Sequence, residues 1–178
     1  IIGQNNPAAA DTTATDSFVE NIIIGSGAGQ AVTTYGSDKF EFNVAIGHGA
    51  MNDVNPAIHD NSVNNSVAIG HAAMLYWHYG IRNVAIGAGA LKSTDGSPGT
   101  GSNNIGLGYT AGGNITSGSG NVVIGDKNVG SATGDNQLII ASGGGAVTWL
   151  TGKSTGEIGI GTSSPSTDLE IVDLDAPA

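Results

Sequence analysis

Cysteine is absent from the 178 residues, which excludes a disulfide framework and a thiol nucleophile and leaves stability to packing and strand pairing. Basic residues are nearly as scarce. Five Lys and Arg stand against fifteen Asp and Glu, for a formal charge of −10, so nothing steers the chain toward phosphate, and neither nucleic acid nor an anionic membrane surface is an expected partner. No apolar run approaches the roughly 20 residues of a membrane span, and no signal-peptide pattern is present, so membrane insertion is not expected. Aromatics are limited to two Trp, four Tyr and three Phe, while Ile, Leu, Val and Phe together supply 22% of the chain. That is only just above the range in which a charged chain stays disordered, so a single thick interior is excluded and a narrow one, repeated along an axis, remains.

What is abundant is glycine, at 30 residues, and asparagine, at 16. They punctuate a repeat. Nine times a short aliphatic stretch runs into a small residue: Ile1-Ile2-Gly3, Asn21-Ile-Ile-Ile-Gly25, Asn43-Val-Ala-Ile-Gly47, Ser66-Val-Ala-Ile-Gly70, Asn83-Val-Ala-Ile-Gly87, Asn104-Ile-Gly-Leu-Gly108, Asn121-Val-Val-Ile-Gly125, Asn136-Gln-Leu-Ile-Ile-Ala141 and Glu157-Ile-Gly-Ile-Gly161. Successive copies end 16 to 23 residues apart. Each copy is too short and too β-branched for a helix and reads as a buried strand of four or five residues, with the variable spacing left to loops. A unit of about 20 residues cannot bury its own apolar face, so units must stack, and chains this lean associate as well.

Asparagine and glycine have mechanical tasks in such a stack. An Asn recurring at the start of successive strands can bond its amide to the amides above and below, a ladder that pins register. The glycine that ends each strand either takes a positive φ or admits a neighbouring backbone where a Cβ would clash. Ala28, Ala50, Ala73, Ala90 and Ala111 each follow three residues later, which points to close chain-to-chain packing. Equivalent residues align only if the strands are parallel, so the expectation is an all-β, elongated stack of about nine short rungs with almost no helix. At ~4.8 Å per rung the stack is on the order of 40 Å long.

Runs such as Asn43-Val-Ala-Ile-Gly-His-Gly-Ala50 and Asn83-Val-Ala-Ile-Gly-Ala-Gly-Ala-Leu91 resemble repeats of bacteriophage tail fibres, and are also similar to the head repeats of trimeric autotransporter adhesins, which build a trimeric β-roll. Adhesin repeats are shorter and more regular, so the spacing here favours the phage resemblance. Gly159-Ile-Gly-Thr162, followed by Pro165, Leu169 and Ile171, resembles a segment found near tail-fibre ends, often ahead of a self-cleaving chaperone. The resemblance covers roughly residues 21 to 172. It implies a trimeric parallel β-helix or β-roll fibre, a homotrimer in the virion that attaches to a host cell-surface glycan or protein receptor. The alternatives it leaves are a bacterial adhesin head at the cell surface and a polysaccharide-degrading tail spike. The chain, beginning inside a partial rung, reads as a segment of something longer.

Three regions follow: residues 1–20 hold a partial rung and a polar lead-in, 21–141 the regular stack, and 142–178 a Gly-rich link around Trp149 and the Gly-Ile-Gly-Thr segment. Leu169, Ile171 and Leu174 suggest a last strand that pairs across chains, with a solvated acidic tail as the alternative. Two features could carry chemistry. Tyr76-Trp77-His78-Tyr79 gathers aromatics in one loop, and aromatic faces stack on sugar rings while their edges bond hydroxyls. Such a loop is a candidate carbohydrate-binding site, or else a plug against a neighbouring chain. His48 and His71 each follow a rung glycine and would lie one above the other, roughly 5 Å apart. On a three-fold axis they could hold a divalent metal; surface histidines are the alternative, and no other cofactor is implied.

Catalysis is not expected. Glycoside hydrolysis needs two carboxylates about 5 to 10 Å apart, and the acid-rich insertion with Asp53, His59 and Asp60 is thin support for it. Gly152-Lys-Ser-Thr155 lacks the first glycine and the helix of a phosphate loop, and Gly106-Leu-Gly-Tyr-Thr-Ala111 is what a glycine-dense repeat produces by default.

Overall fold

Two β-branched residues flanking a small one suit a strand whose middle residue faces a narrow interior while its neighbours face away. The computed structural model of the chain describes residues 20–29, 40–52, 62–94, 96–144 and 146–172. Its strands are β1 (Ile22–Ile24), β2 (Val44–Ile46), β3 (Ser62–Asn64), β4 (Val67–Ile69), β5 (Tyr79–Ile81), β6 (Val84–Ile86), β7 (Ile105–Leu107), β8 (Val122–Ile124), β9 (Leu138–Ala141), β10 (Thr148–Gly152), β11 (Ile158–Ile160) and β12 (Leu169–Ile171). No helix occurs among the described residues. Every repeat from Asn21 onward forms a strand; Ile1-Ile2-Gly3 lies outside the described residues.

Ten strands form one sheet in the order β1-β2-β4-β6-β7-β8-β9-β10-β11-β12, and β3 and β5 form a second, parallel pair. From β1 to β9 every neighbour is parallel, and equivalent repeat residues face each other, as in Val44↔Val67 and Ile69↔Ile86. The expectation of nine uninterrupted parallel rungs fails at the last step. β10 comes from the segment expected to be a link, and it inserts antiparallel between β9 and β11. The physical reason lies in its composition: Thr148-Trp-Leu-Thr151 favours a strand, and the Ser142–Val147 turn, closed by the Val147 carbonyl accepting from the Ser142 N–H at 2.9 Å, reverses the chain in time to use it. β12 pairs parallel with β11 of the same chain, so within this chain the last strand finds its partner without crossing to another.

The expected asparagine ladder is present but wired differently. Asn43 accepts the Ser66 N–H on Oδ1 at 2.9 Å and donates from Nδ2 to the Val63 carbonyl at 2.7 Å. Asn83 holds the Asn104 N–H and Gly101 carbonyl at 2.9 and 3.0 Å, and Asn104 holds the Asn121 N–H and Gly118 carbonyl, both at 2.9 Å. Asn121 repeats the pattern on Gln137 and Gly134 at 2.9 and 3.0 Å. Each amide therefore grips two backbone groups of the next repeat that lie three residues apart, spanning a turn whose third residue is left-handed: Phe42, Asn65, Arg82, Asn103 and Asn136 have φ of 54° to 59°. Amide-to-amide contacts of the expected kind join Asn121 to Asn104 at 3.1 Å and Gln137 to Asn121 at 3.2 Å. A second set of bonds runs backward, with Asn64, Ser102, Ser119 and Asp135 side chains accepting N–H groups of the preceding repeat.

The rung glycine meets both conditions set for it. Gly87 has φ 131°, and a Cβ there would lie 2.3 Å from the Gly108 carbonyl oxygen; Gly25, Gly47 and Gly70 are crowded the same way at 2.5 to 2.6 Å. The inward strand positions Ala45, Ala68 and Ala85 are fully buried, and so are Ala28, Ala50, Ala73, Ala90 and Ala111. These five alanines are thus enclosed by their own chain, so they give no sign of contact with another. Met51, Met74 and Leu91, one residue further on, fill the interior between them. Where that position is Gly112, Ile115 takes the space, since a Cβ on Gly112 would come within 3.0 Å of its Cδ1.

Candidate functional site

The aromatic loop is assembled differently from the expectation. Tyr76 adopts φ 59°, so the segment is not a simple extended strand, and buried and exposed side chains do not alternate along it. Trp77 is 4% exposed and His78 1%, Tyr76 is half-buried, and Tyr79 sits at the surface. The indole lies where Gly99 has no side chain: a Cβ at Gly99 would fall 2.1 Å from its Cε3, and one at Gly80 2.9 Å from its Nε1. Trp77 is therefore a core residue with no face to offer a sugar, and the four residues do not form an exposed glycan-reading cluster.

His48 and His71 lie as expected. Their rings stack with centroids 5.3 Å apart and planes 10° from parallel, both exposed, because each directly follows a rung glycine on paired strands. Among the described residues no group of three or more His, Cys, Asp or Glu could hold a metal ion, so a metal at this pair would have to draw further ligands from another chain or from water. Asp53, His59 and Asp60 lie outside the described residues.

The feature that sequence reasoning missed is the outward face of the long sheet. Strand register places Ile24, Ile46, Ile69, Ile86, Leu107, Ile124, Ile140, Leu150, Ile160 and Ile171 in one unbroken column across all ten strands. Beside it runs Ile22, Val44, Val67, Val84, Ile105, Val122 and Leu138, continued through Gly152 to Ile158 and Leu169. None of these aliphatic side chains ranks among the buried core; Ile22 is 54% exposed, Leu107 41% and Ile171 66%. The columns cross the antiparallel hairpin without a polar interruption. At ~4.8 Å per strand and ~7 Å between columns, the strip is about 43 Å long and covers on the order of 500 Å². The signal was legible: an aliphatic residue stands on both sides of every inward Ala, Gly or Val, which a strand with one solvated face does not need.

At the hairpin end two carboxylates are tuned by local bonds. Glu170 is held below its usual range by the Ser166 backbone N–H and hydroxyl, at 2.7 and 2.8 Å. Glu157 is lowered by the Thr155 hydroxyl. Both are half-exposed and bonded within their own turns, so they tie those turns down and do not form an acid–base pair. Gly159 of the Gly-Ile-Gly-Thr segment faces inward, where Thr162 and the buried Pro165 pack over it.

Comparison with protein-family models, with curated proteins and with solved structures gave no match.

Proposed function

We propose that the chain is a structural and receptor-binding segment of a bacteriophage tail fibre, three copies of which associate as a parallel β-helix or β-roll fibre in the virion and attach to a host cell-surface glycan or other receptor. The observation that carries the reading is the aliphatic strip. A patch of that size is among the largest that monomeric proteins leave in water, and such patches are interaction sites. Burying about 500 Å² is worth at most ~12 kcal/mol per chain at 25 cal/mol/Å², which is comparable to an association cost of about 4 to 15 kcal/mol. The strip runs the whole length of the sheet, so a second and third copy of the same chain, set side by side about an axis, can match it along its whole length. The chain's resemblance to tail-fibre repeats supplies the number three and the role.

The test is sedimentation of the wild type against Ile86→Lys, combined with adsorption to candidate host cells. A trimer that dissociates in the variant without loss of the β-sheet circular dichroism supports the reading. A wild-type monomer at micromolar concentration refutes it, and a stable dimer refutes the three-fold arrangement.

A further inference from the structure

The residue after each rung glycine points outward, and successive copies form a side column: His48, His71, Ala88, Tyr109, Asp126. Ala88 is a gap in it. His71 and Tyr109 stand two strand spacings apart, about 10 Å, with only a methyl group between. The result is a cleft of about 200 Å³ floored by Ala88 and Gly89, walled by His71 and Tyr109 and flanked by Lys92 and Thr110. Tyr109, at 64% exposed, is the most exposed aromatic among the described residues. Lys92 and Thr110 also wall a second cleft of about 280 Å³, which adds Thr94 and Asn128. Thr110 and Asn128 in turn wall a third, of about 350 Å³, with Asp126, Lys127 and Gly144. Shared walls make the three one groove.

Its charge runs against the acidic balance of the chain. Only five basic residues occur in a chain of formal charge −10, and Lys92 and Lys127 both line this groove. Its single carboxylate, Asp126, accepts from the Thr110 hydroxyl at 2.7 Å. Glycine and alanine make an open floor, the phenol and imidazole offer faces, and hydroxyl and amide groups line the sides. A sugar ring, with a C–H face to lie on the phenol, hydroxyl edges and a negative charge, fits that combination.

We propose that this groove binds an acidic oligosaccharide, with one sugar ring against Tyr109 in the cleft over Ala88 and a uronic-acid carboxylate at Lys92. The proposal rests on the receptor-attachment reading and gives it a site that the buried Trp77 cannot supply.

The experiment is biolayer interferometry of the intact oligomer on immobilised polygalacturonate and hyaluronate, with dextran as the neutral comparison. Wild type is expected to bind an acidic polymer and not dextran, and to weaken as salt rises from 0.05 to 0.5 M. Tyr109→Ala should weaken binding about tenfold and Lys92→Glu about tenfold or more. Tyr79→Ala, at a surface aromatic outside the groove, should leave binding unchanged, with circular dichroism and sedimentation unaltered in all three variants. Binding that survives both groove substitutions, or that prefers dextran, overturns the groove assignment while the attachment reading stands. A wild type that holds none of the three polymers and does not adsorb to host cells overturns both.

Discussion

Replacing Asn104 measures what the forward-reaching amides contribute. The side chain is fully buried, its oxygen accepts from the Asn121 backbone N–H at 2.9 Å and from the Asn121 amide at 3.1 Å, and its nitrogen donates to the Gly118 carbonyl at 2.9 Å. Asn104→Ala strands a buried backbone N–H and a buried carbonyl, and each such group costs about 1 to 3 kcal/mol. Allowing for partial relaxation, the loss is about 2 to 5 kcal/mol, or roughly 4 to 20 °C in Tm for a chain of this size. Nature has placed the intermediate case at Ser66, whose hydroxyl accepts the Asn83 N–H at 3.1 Å but donates to the Asn64 carbonyl of its own turn at 3.0 Å and grips no carbonyl of the next repeat. Asn104→Ser should therefore keep the Asn121 N–H satisfied and cost about half as much. Equilibrium urea unfolding at fixed protein concentration gives the energies, and hydrogen exchange of the Asn121 amide reports the bond itself. If Asn104→Ala shifts stability by less than about 0.5 kcal/mol while Asn121 stays protected, the amides do not set register and the reasoning is wrong.

Gly87→Val should prevent folding of the stack, because the new Cβ would sit 2.3 Å from the Gly108 carbonyl oxygen at φ 131°; a variant that keeps the wild-type circular dichroism would contradict this. Trp77→Ala, which empties a site sealed by Gly80 and Gly99, should cost about 3 to 5 kcal/mol in urea titration and leave polysaccharide binding of the still-folded protein intact. The hairpin end should loosen in acid. Glu170 and Glu157 both titrate below the ordinary 4.5, so their contribution is present above that value and is lost as pH falls through the lowered pKa. Fluorescence of the exposed Trp149 in β10 should follow that loss, and Glu170→Gln should flatten the part due to the Ser166 bonds.

Strand positions and parallel register were legible from Asn21 to Ala141 because the same three columns recur, one inward and two outward. Even Ser66, which breaks the Asn pattern, sits in register since its Val-Ala-Ile follows unchanged. β10 was not legible: it belongs to no repeat, and flanking glycines disguised Thr148 to Gly152 as a link. β3 and β5 escaped because each is three residues of mixed polarity, Ser-Val-Asn and Tyr-Gly-Ile, whose pairing depends on where their neighbouring strands have already been placed. His48 over His71 followed directly from register. Trp77 was misplaced because local sequence says that aromatics cluster, while its burial is decided by Gly99, more than twenty residues on, and by Gly80. The groove beside Tyr109 was invisible for the same reason, as its walls come from five successive repeats.

The grip of each asparagine extends over only three residues of the following repeat, and nothing measures the length of chain before them. Repeats of 17 and of 23 residues deliver their strands to the same column. Loops are thus free to lengthen, shrink or be exchanged whole by recombination while the sheet stays in step. A lineage could rewrite one surface segment at a time and inherit the scaffold unaltered.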